Sequence, residues 1–154
     1  YEAHAQGKET IVVVDEAQML QDDSIFEEMR LLLNLQLDDA FLITLLLVGQ
    51  PPLIESIRRH GGLDQRIATR GVLRPFSDED TRTYIDFRLK TAGREGAIFH
   101  PEAIDLIHQY TSGVPRKINN ICDIALVIGY SRKLQGIDAD WAQRLIQAER
   151  GDGA

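Results

Sequence analysis

The first half of the chain alternates short apolar runs with segments of helical period. Residues 11–14 and 41–48 are almost entirely apolar, a pattern typical of parallel strands that are buried on both faces. Between them, residues 24–37 carry apolar side chains at helical spacing and open with Ser24 and Glu27, the spacing of a capping box. Residues 52–59 predict a short helix, and residues 71–73 a weaker third strand. These elements predict a strand–helix–strand unit.

After Pro75 the strand patterns stop and every further segment has a helical period. Helices are predicted over residues 77–93 and 101–113, from Pro115 onwards, and after a cap at Asp138 or Asp140. The third of them carries an apolar stripe made of Ile118, Ile121, Cys122, Ala125 and Ile128. The fold class predicted is therefore α/β over residues 1–75, followed by an all-α piece of four helices over residues 76–150.

Composition narrows the class of protein. The chain has 154 residues, of which 44% are hydrophobic and 27% charged, with a net charge of −7. This balance indicates a folded domain that does not coat polyanions, so we do not expect nucleic acid as a partner. The single cysteine excludes an internal disulfide and a multi-cysteine metal site, and favours a reducing compartment. Because no apolar run approaches the roughly 20 residues that span a bilayer, we expect no direct membrane insertion in this segment.

Two adjacent carboxylates, Asp15 and Glu16, follow the first apolar run. Ligands of open α/β sheets bind at the carboxyl ends of strands, and carboxylate oxygens suit Mg²⁺. Four apolar residues followed by Asp-Glu resemble the Walker B motif of P-loop NTPases, in which the Asp supports Mg²⁺ and the Glu polarises the attacking water. These residues alone leave open the alternative that Asp15 caps the following turn.

Gln50 follows the second apolar run and would lie at the same sheet edge as Glu16 if the two strands are neighbours. Its amide could then orient a water or a phosphate oxygen, although Gly-Gln-Pro-Pro is also an ordinary turn. A cluster of arginines comes next, suited either to phosphate contacts or to a solvated basic face. Its members are Arg58, Arg59, Arg66, Arg70 and Arg74.

Arg116 and Lys117 follow Gly113-Val-Pro and fall in the first turn of a predicted helix. The helix dipole disfavours cations at that end. Either an anionic partner outside the helix or an ion pair to another helix would compensate this arrangement.

In this order, the motifs resemble the second half of an AAA+ ATPase module. Five more specific sequence strings are similar to the ATPases of the general secretion pathway protein A group, which includes pilus-biogenesis and exopolysaccharide-locus secretion ATPases. Transposition ATPases and origin-recognition initiators resemble the chain more distantly. The resemblance spans residues 8–148. The strings are Val-Asp-Glu-Ala-Gln-Met-Leu, Arg-Leu-Leu-Leu-Asn-Leu, Val-Gly-Gln-Pro-Pro-Leu, Gln-Arg-Ile and Gly-Val-Pro-Arg-Lys-Ile-Asn.

The resemblance implies an incomplete AAA+ P-loop NTPase core followed by a four-helix lid, with ATP and Mg²⁺ as cofactors of the parent protein. Asp15 would support Mg²⁺, Glu16 would activate the hydrolytic water, and Gln50 would sense the γ-phosphate. The arginine finger that reaches a neighbouring subunit would be Arg70, with Arg66 as the alternative.

The lid would contribute Arg116 as a phosphate contact. An arginine finger implies self-association of the parent as a ring or dimer. The family's sheet order would place its first strand between residues 41–48 and 71–73; since this segment lacks that strand, we expect the chain to self-associate or to rearrange its last strand.

The function implied is coupling of ATP binding and hydrolysis to assembly of a secretion, pilus or polysaccharide-export system. Its partners would be secretion or envelope-assembly proteins, and its location the cytoplasm, at the inner face of a bacterial membrane through parts outside this segment. Two alternatives stay open: a non-catalytic AAA+-like adaptor module, and a fragment of a DNA transposition or replication-initiator ATPase, which would need a winged helix or basic recognition helix.

No Gly-x-x-x-x-Gly-Lys-Ser/Thr occurs in the 154 residues, since Gly7-Lys8 is followed by Glu9. Without that loop, no backbone N–H groups or lysine cradle the β- and γ-phosphates. We interpret the chain as a fragment of a longer ATPase and predict that, by itself, it binds ATP poorly and does not hydrolyse it. Mg²⁺-dependent phosphate release by the 154-residue chain would contradict this prediction.

Overall fold

The computed structural model describes residues 6–37 and 40–151 of the chain. They form two compact units, which divide between Gly71 and Val72. The first combines strands and helices, and the second is helical. The elements of the first unit are β1 (Ile11–Val14), a 3₁₀ helix (Ala17–Met19), α1 (Asp23–Leu32), β2 (Gln36–Leu37), β3 (Ala40–Phe41), β4 (Thr44–Leu47), α2 (Pro52–Arg59) and α3 (Gly61–Asp64).

The sheet of the first unit is a parallel pair, β1 beside β4, in a register that sets Ile11 opposite Thr44 and Val14 opposite Leu47. The predicted strand–helix–strand unit is thus present, with α1 in the connection. A separate antiparallel pair joins β2 to β3. One face of the parallel pair packs on a core that also receives α1, α2 and α3, and the buried residues of that core are Ala17, Phe26, Met29, Leu53, Ile57 and Leu63.

The boundaries of two predicted elements are wrong. The second strand covers Thr44–Leu47 rather than residues 41–48, because Ala40–Phe41 pairs with Gln36–Leu37 instead. Helix α1 stops at Leu32, where residues 33 and 34 form a turn that leads into the β2–β3 pair. Its cap is also different: the Asp22 carboxylate accepts a hydrogen bond from the Ser24 N–H at 2.9 Å, while Glu27 pairs with Arg30.

The weaker strand predicted at residues 71–73 does not form. A strand needs a neighbour to satisfy its backbone N–H and C=O groups, and among the described residues none runs beside this segment. Val72 and Leu73 are accordingly exposed, Leu73 almost completely.

The prediction that both strands are buried on both faces is also wrong. Val14, Leu45 and Leu47 pack against the core, whereas on the opposite face Ile11 is 59% exposed, Val13 57% and Leu46 49%. The physical reason is that, within the described residues, helices cover one face of this two-strand sheet. A bare apolar sheet face of this kind marks a surface that another element normally covers.

The second unit contains four helices in its described part, close to the predicted positions. Ser77 and Asp80 form a capping box at the start of the first helix, and Asp138, rather than Asp140, caps the last through a bond from the Trp141 N–H. The predicted stripe from Ile118 to Ile128 lies in the core, where Ile128 is partly buried and its other members are buried. The four helices are α4 (Asp78–Thr91), α5 (Pro101–Thr111), α6 (Pro115–Ser131) and α7 (Ala139–Glu149).

Cys122 lies in this core, as its place on the predicted apolar stripe indicated. Burial, reinforced by the negative charge of Asp123, raises the pKa of the Cys122 thiol to about 12. Because the thiolate is the nucleophilic form of cysteine, this environment keeps the side chain unreactive at neutral pH.

Gly113 determines how α5 connects to α6. Its φ is +71°, and a Cβ at this position would lie 2.9 Å from the backbone nitrogen of Phe76 and closer still to its carbonyl oxygen. The Phe76 N–H donates to the Gly113 carbonyl at 2.9 Å. The backbone of residues 113–114 is therefore held against the segment that precedes α4.

We predict that Gly113→Ala lowers the free energy of unfolding by about 2–3 kcal/mol, because the methyl group adds a backbone clash to the strain of a positive φ. Gly93→Ala is the matched control: its φ is +83° but a Cβ would meet nothing within 4 Å, so about 1 kcal/mol is expected from strain alone. Urea unfolding of both variants measures the difference. Equal losses would show that the contact with Phe76 is unimportant.

Candidate functional site

The carboxyl ends of β1 and β4 lie side by side. Beyond the paired strands, the Val48 N–H donates to the Val14 carbonyl at 2.9 Å, and the Ala17 N–H donates to the Val48 carbonyl at 2.9 Å. These bonds bring the chain around Asp15 and Glu16 next to Gln50, at the sheet edge where ligands of open α/β sheets bind. The two strands are neighbours, which is the condition under which Gln50 was expected to lie at the same sheet edge as Glu16.

Glu16 has a strained backbone. Its φ of 52° and ψ of 34° lie in the left-handed region, which costs about 1–2 kcal/mol for a residue other than glycine. Its N–H donates to Asp15 Oδ1 at 2.8 Å, and both side chains are exposed. Such conformations persist where the surrounding structure enforces them, often at functional sites.

Asp15 does not cap the following helix with its side chain. The 3₁₀ helix begins after Glu16 with no side-chain cap, and the Asp15 carboxylate bonds only to the adjacent N–H through Oδ1. In the described part of the chain, Oδ2 has no hydrogen-bond donor and is open to an external ligand.

Gln18 was not singled out by the sequence analysis, yet it connects the two strand ends. Its Nε2 donates to Glu16 Oε2 at 2.5 Å, and its Oε1 accepts from the Gln50 N–H at 2.9 Å. The sequence contained one signal for it, a glutamine two residues after the Asp-Glu pair, but nothing in the pattern showed that its side chain would reach residue 50. The side chain of Gln50 itself is exposed.

The two candidate arginine fingers differ in their surroundings. Arg70 Nη2 lies 2.6 Å from Asp64 Oδ1 and also donates to the Asp64 carbonyl. Arg66 is exposed and, within residues 6–37 and 40–151, takes part in no ion pair. Asp64 therefore neutralises one of the two guanidinium groups.

Arg116 lies in the second unit, in the first turn of α6 after Pro115. The ion pair to another helix that the sequence left open is absent there: neither Arg116 nor Lys117 pairs with a carboxylate of any described residue, and the first turn of α6 contains no acidic side chain. Both cations are exposed.

The donor set at the sheet edge suits a metal ion that arrives with phosphate. The described residues hold no group of three or more His, Cys, Asp or Glu side chains able to form a metal cage. Mg²⁺ at nucleotide sites needs only one or two carboxylates, because water and phosphate oxygens complete its coordination. Asp15, with one carboxylate oxygen open, fits that requirement. In the same described part of the chain, none of the helices has the length and apolar character needed to cross a membrane.

Comparison with known proteins identifies the family. A family model described as AAA domain matches residues 1–57. Over 130 residues the chain is 42% identical to General secretion pathway protein A of Aeromonas hydrophila, an alignment that covers 83% of this chain and 24% of that protein. The chain thus spans about a quarter of the length of this relative. Together with the Asp15–Glu16 pair beside Gln50, these matches show that the chain belongs to the AAA-type ATPase family, in the group of General secretion pathway protein A.

Proposed function

We propose that this chain carries the Mg²⁺-supporting and water-activating part of an ATPase that couples ATP binding and hydrolysis to assembly of a secretion, pilus or polysaccharide-export system. The observation that carries the proposal is the edge of the parallel pair, where Asp15 and Glu16 leave β1 beside Gln50. The 42% identity to a general secretion pathway protein supports the link to secretion.

Each side chain at this edge has a role that its chemistry supports. Asp15 would hold Mg²⁺ through its open carboxylate oxygen, and the bound ion would neutralise charge on the β- and γ-phosphates. Glu16, an exposed carboxylate on the turn after β1, would orient and polarise the attacking water. Gln50 would contact the γ-phosphate or that water through its exposed amide.

The phosphate-binding loop of this ATPase would lie outside the 154 residues. They contain no Walker A sequence, and the relative is about four times longer than the aligned part of the chain. The bare face of the sheet supports the same proposal: Ile11, Val13 and Leu46 are apolar and exposed, while parallel sheets are normally covered on both faces.

The arginines would act between subunits of a ring or dimer. Arg70 would exchange its carboxylate partner Asp64 for a phosphate of the neighbouring nucleotide, and Arg66 is the alternative with an unpaired guanidinium in the described structure. Arg116, an exposed cation without a counter-ion there, would contact phosphate from a helical lid formed by the second unit. Secretion or envelope-assembly proteins would be the partners, at the cytoplasmic face of a bacterial membrane.

The first test is ATP turnover by the full-length protein. Removing the general base should lower kcat by about 10²–10⁴-fold, so we expect that loss for Glu16→Gln and comparable loss of Mg²⁺-dependent turnover for Asp15→Asn. Glu28→Gln, an exposed carboxylate on α1, is the matched control and should keep wild-type kcat. Unchanged kcat in Glu16→Gln would refute the proposal, and a full-length protein without turnover would favour a non-catalytic adaptor.

The second test asks which arginine acts between subunits. We expect Arg70→Ala to lower kcat by about 10³-fold or more, the usual contribution of an arginine finger, with Arg58→Ala as an exposed control. In an assembly, Glu16 of one subunit and the arginine finger of its neighbour would complete the same active site. A mixture of Arg70→Ala and Glu16→Gln subunits would contain some sites with both groups intact, so it should recover part of the turnover. If Arg66→Ala, and not Arg70→Ala, shows this pattern, Arg66 is the finger; no restoration with either contradicts the inter-subunit role.

A further inference from the structure

We propose that Gln18 is a positioning residue that holds the Glu16 carboxylate and ties it to the end of β4. The inference rests on the proposed role of Glu16 as the water-activating base. Gln18 touches neither nucleotide nor water in this scheme. It acts through the two groups that its side-chain amide joins, the Glu16 carboxylate and the backbone N–H of Gln50.

The hydrogen-bond partners determine the orientation of the Gln18 amide. An ionised carboxylate only accepts hydrogen bonds, and a backbone N–H only donates them. The NH₂ group must therefore face Glu16 Oε2 and the oxygen must face the Gln50 N–H, as observed. Reversing the amide would set oxygen against carboxylate and nitrogen against N–H, so a single orientation satisfies both neighbours.

The surroundings keep Gln18 in place from two sides. The 3₁₀ helix that carries it starts at Ala17, which is fully buried and whose N–H donates to the Val48 carbonyl. The end of the Gln18 side chain lies against Gly49. A Cβ at that position would lie 2.6 Å from Gln18 Oε1 and 2.9 Å from Leu53 Cδ2. The Gln18 amide thus occupies the space that any larger residue at position 49 would need.

This connection has a consequence for catalysis. A general base must stay within hydrogen-bond reach of the water it activates, and a displacement of about 1 Å can cost about 10²-fold in rate. An exposed Glu16 side chain without the Gln18 bond would sample several rotamers. Since Gln50 is the proposed γ-phosphate sensor, a movement of Gln50 would also pass through Gln18 to the Glu16 carboxylate.

The kinetic test uses Gln18→Met in the full-length protein, which keeps the length of the side chain and removes both hydrogen bonds. We expect kcat to fall about 10–100-fold while KM and the Kd for ATP stay within about twofold. In a Glu16→Gln background the same substitution should lower kcat no further, because residues that act as a unit are not additive. The control is Gln21→Met, at an exposed glutamine three residues further along the chain.

A second measurement does not depend on turnover. In Gln18→Met the backbone N–H of Gln50 loses its acceptor, so its hydrogen exchange should accelerate at least about tenfold. The backbone N–H of Val48, which donates to the Val14 carbonyl, should keep its protection. Gly49→Ala should likewise accelerate hydrogen exchange at the Gln50 backbone N–H and lower kcat, because the added methyl group displaces the Gln18 side chain.

The outcomes separate the two proposals. Unchanged exchange at Gln50, or turnover that depends on Glu16 but not on Gln18, overturns the positioning role alone. Losses in kcat that multiply in the double variant also overturn it, since they would show that Gln18 acts independently of Glu16. A full-length protein in which Glu16→Gln keeps its turnover overturns the proposed function and the role of Gln18 together.

Discussion

The parallel pairing of β1 with β4 sets the position of every candidate group at the sheet edge. Its register places Val14 opposite Leu47, and the bonds that continue beyond the strands join Val14, Ala17 and Val48. Residues 32 or more apart in sequence, such as Gln18 and Gln50, come into hydrogen-bond contact only because of this pairing. Without it, the Asp15–Glu16 pair would be an isolated acidic turn.

The turn after β1 and the residue after β4 both adopt arrangements that have a conformational cost or a steric restriction. Glu16 adopts a left-handed backbone, and a side chain at position 49 would have to displace the Gln18 amide and Leu53, which fill that space. A carboxylate turn that served only solubility would need neither feature. The combination indicates that the surrounding structure, rather than the intrinsic preference of Glu16, enforces the geometry of the carboxylate.

Helical boundaries were more predictable than the sheet. Pro101, Pro115, Ser77 and Asp138 mark helix starts through local chemistry, a fixed φ or a side-chain cap, so the four helices of the second unit lie close to their predicted positions. The predictions of a strand at residues 71–73 and of two-sided burial for β1 and β4 were wrong. Strand formation and burial depend on distant partners, which the local pattern of apolar residues does not reveal.

The sequence by itself determined the strand–helix–strand order of β1, α1 and β4, the four helices after Pro75, the Asp15–Glu16 pair after an apolar strand, and the family to which these motifs point. These properties depend on side chains that are neighbours along the chain or one helical turn apart. Only the tertiary structure decided that Gln18 joins Glu16 to Gln50, that Arg70 pairs with Asp64, and that one sheet face is bare. Each of these depends on strand register or loop geometry, which bring together groups that no periodic pattern relates.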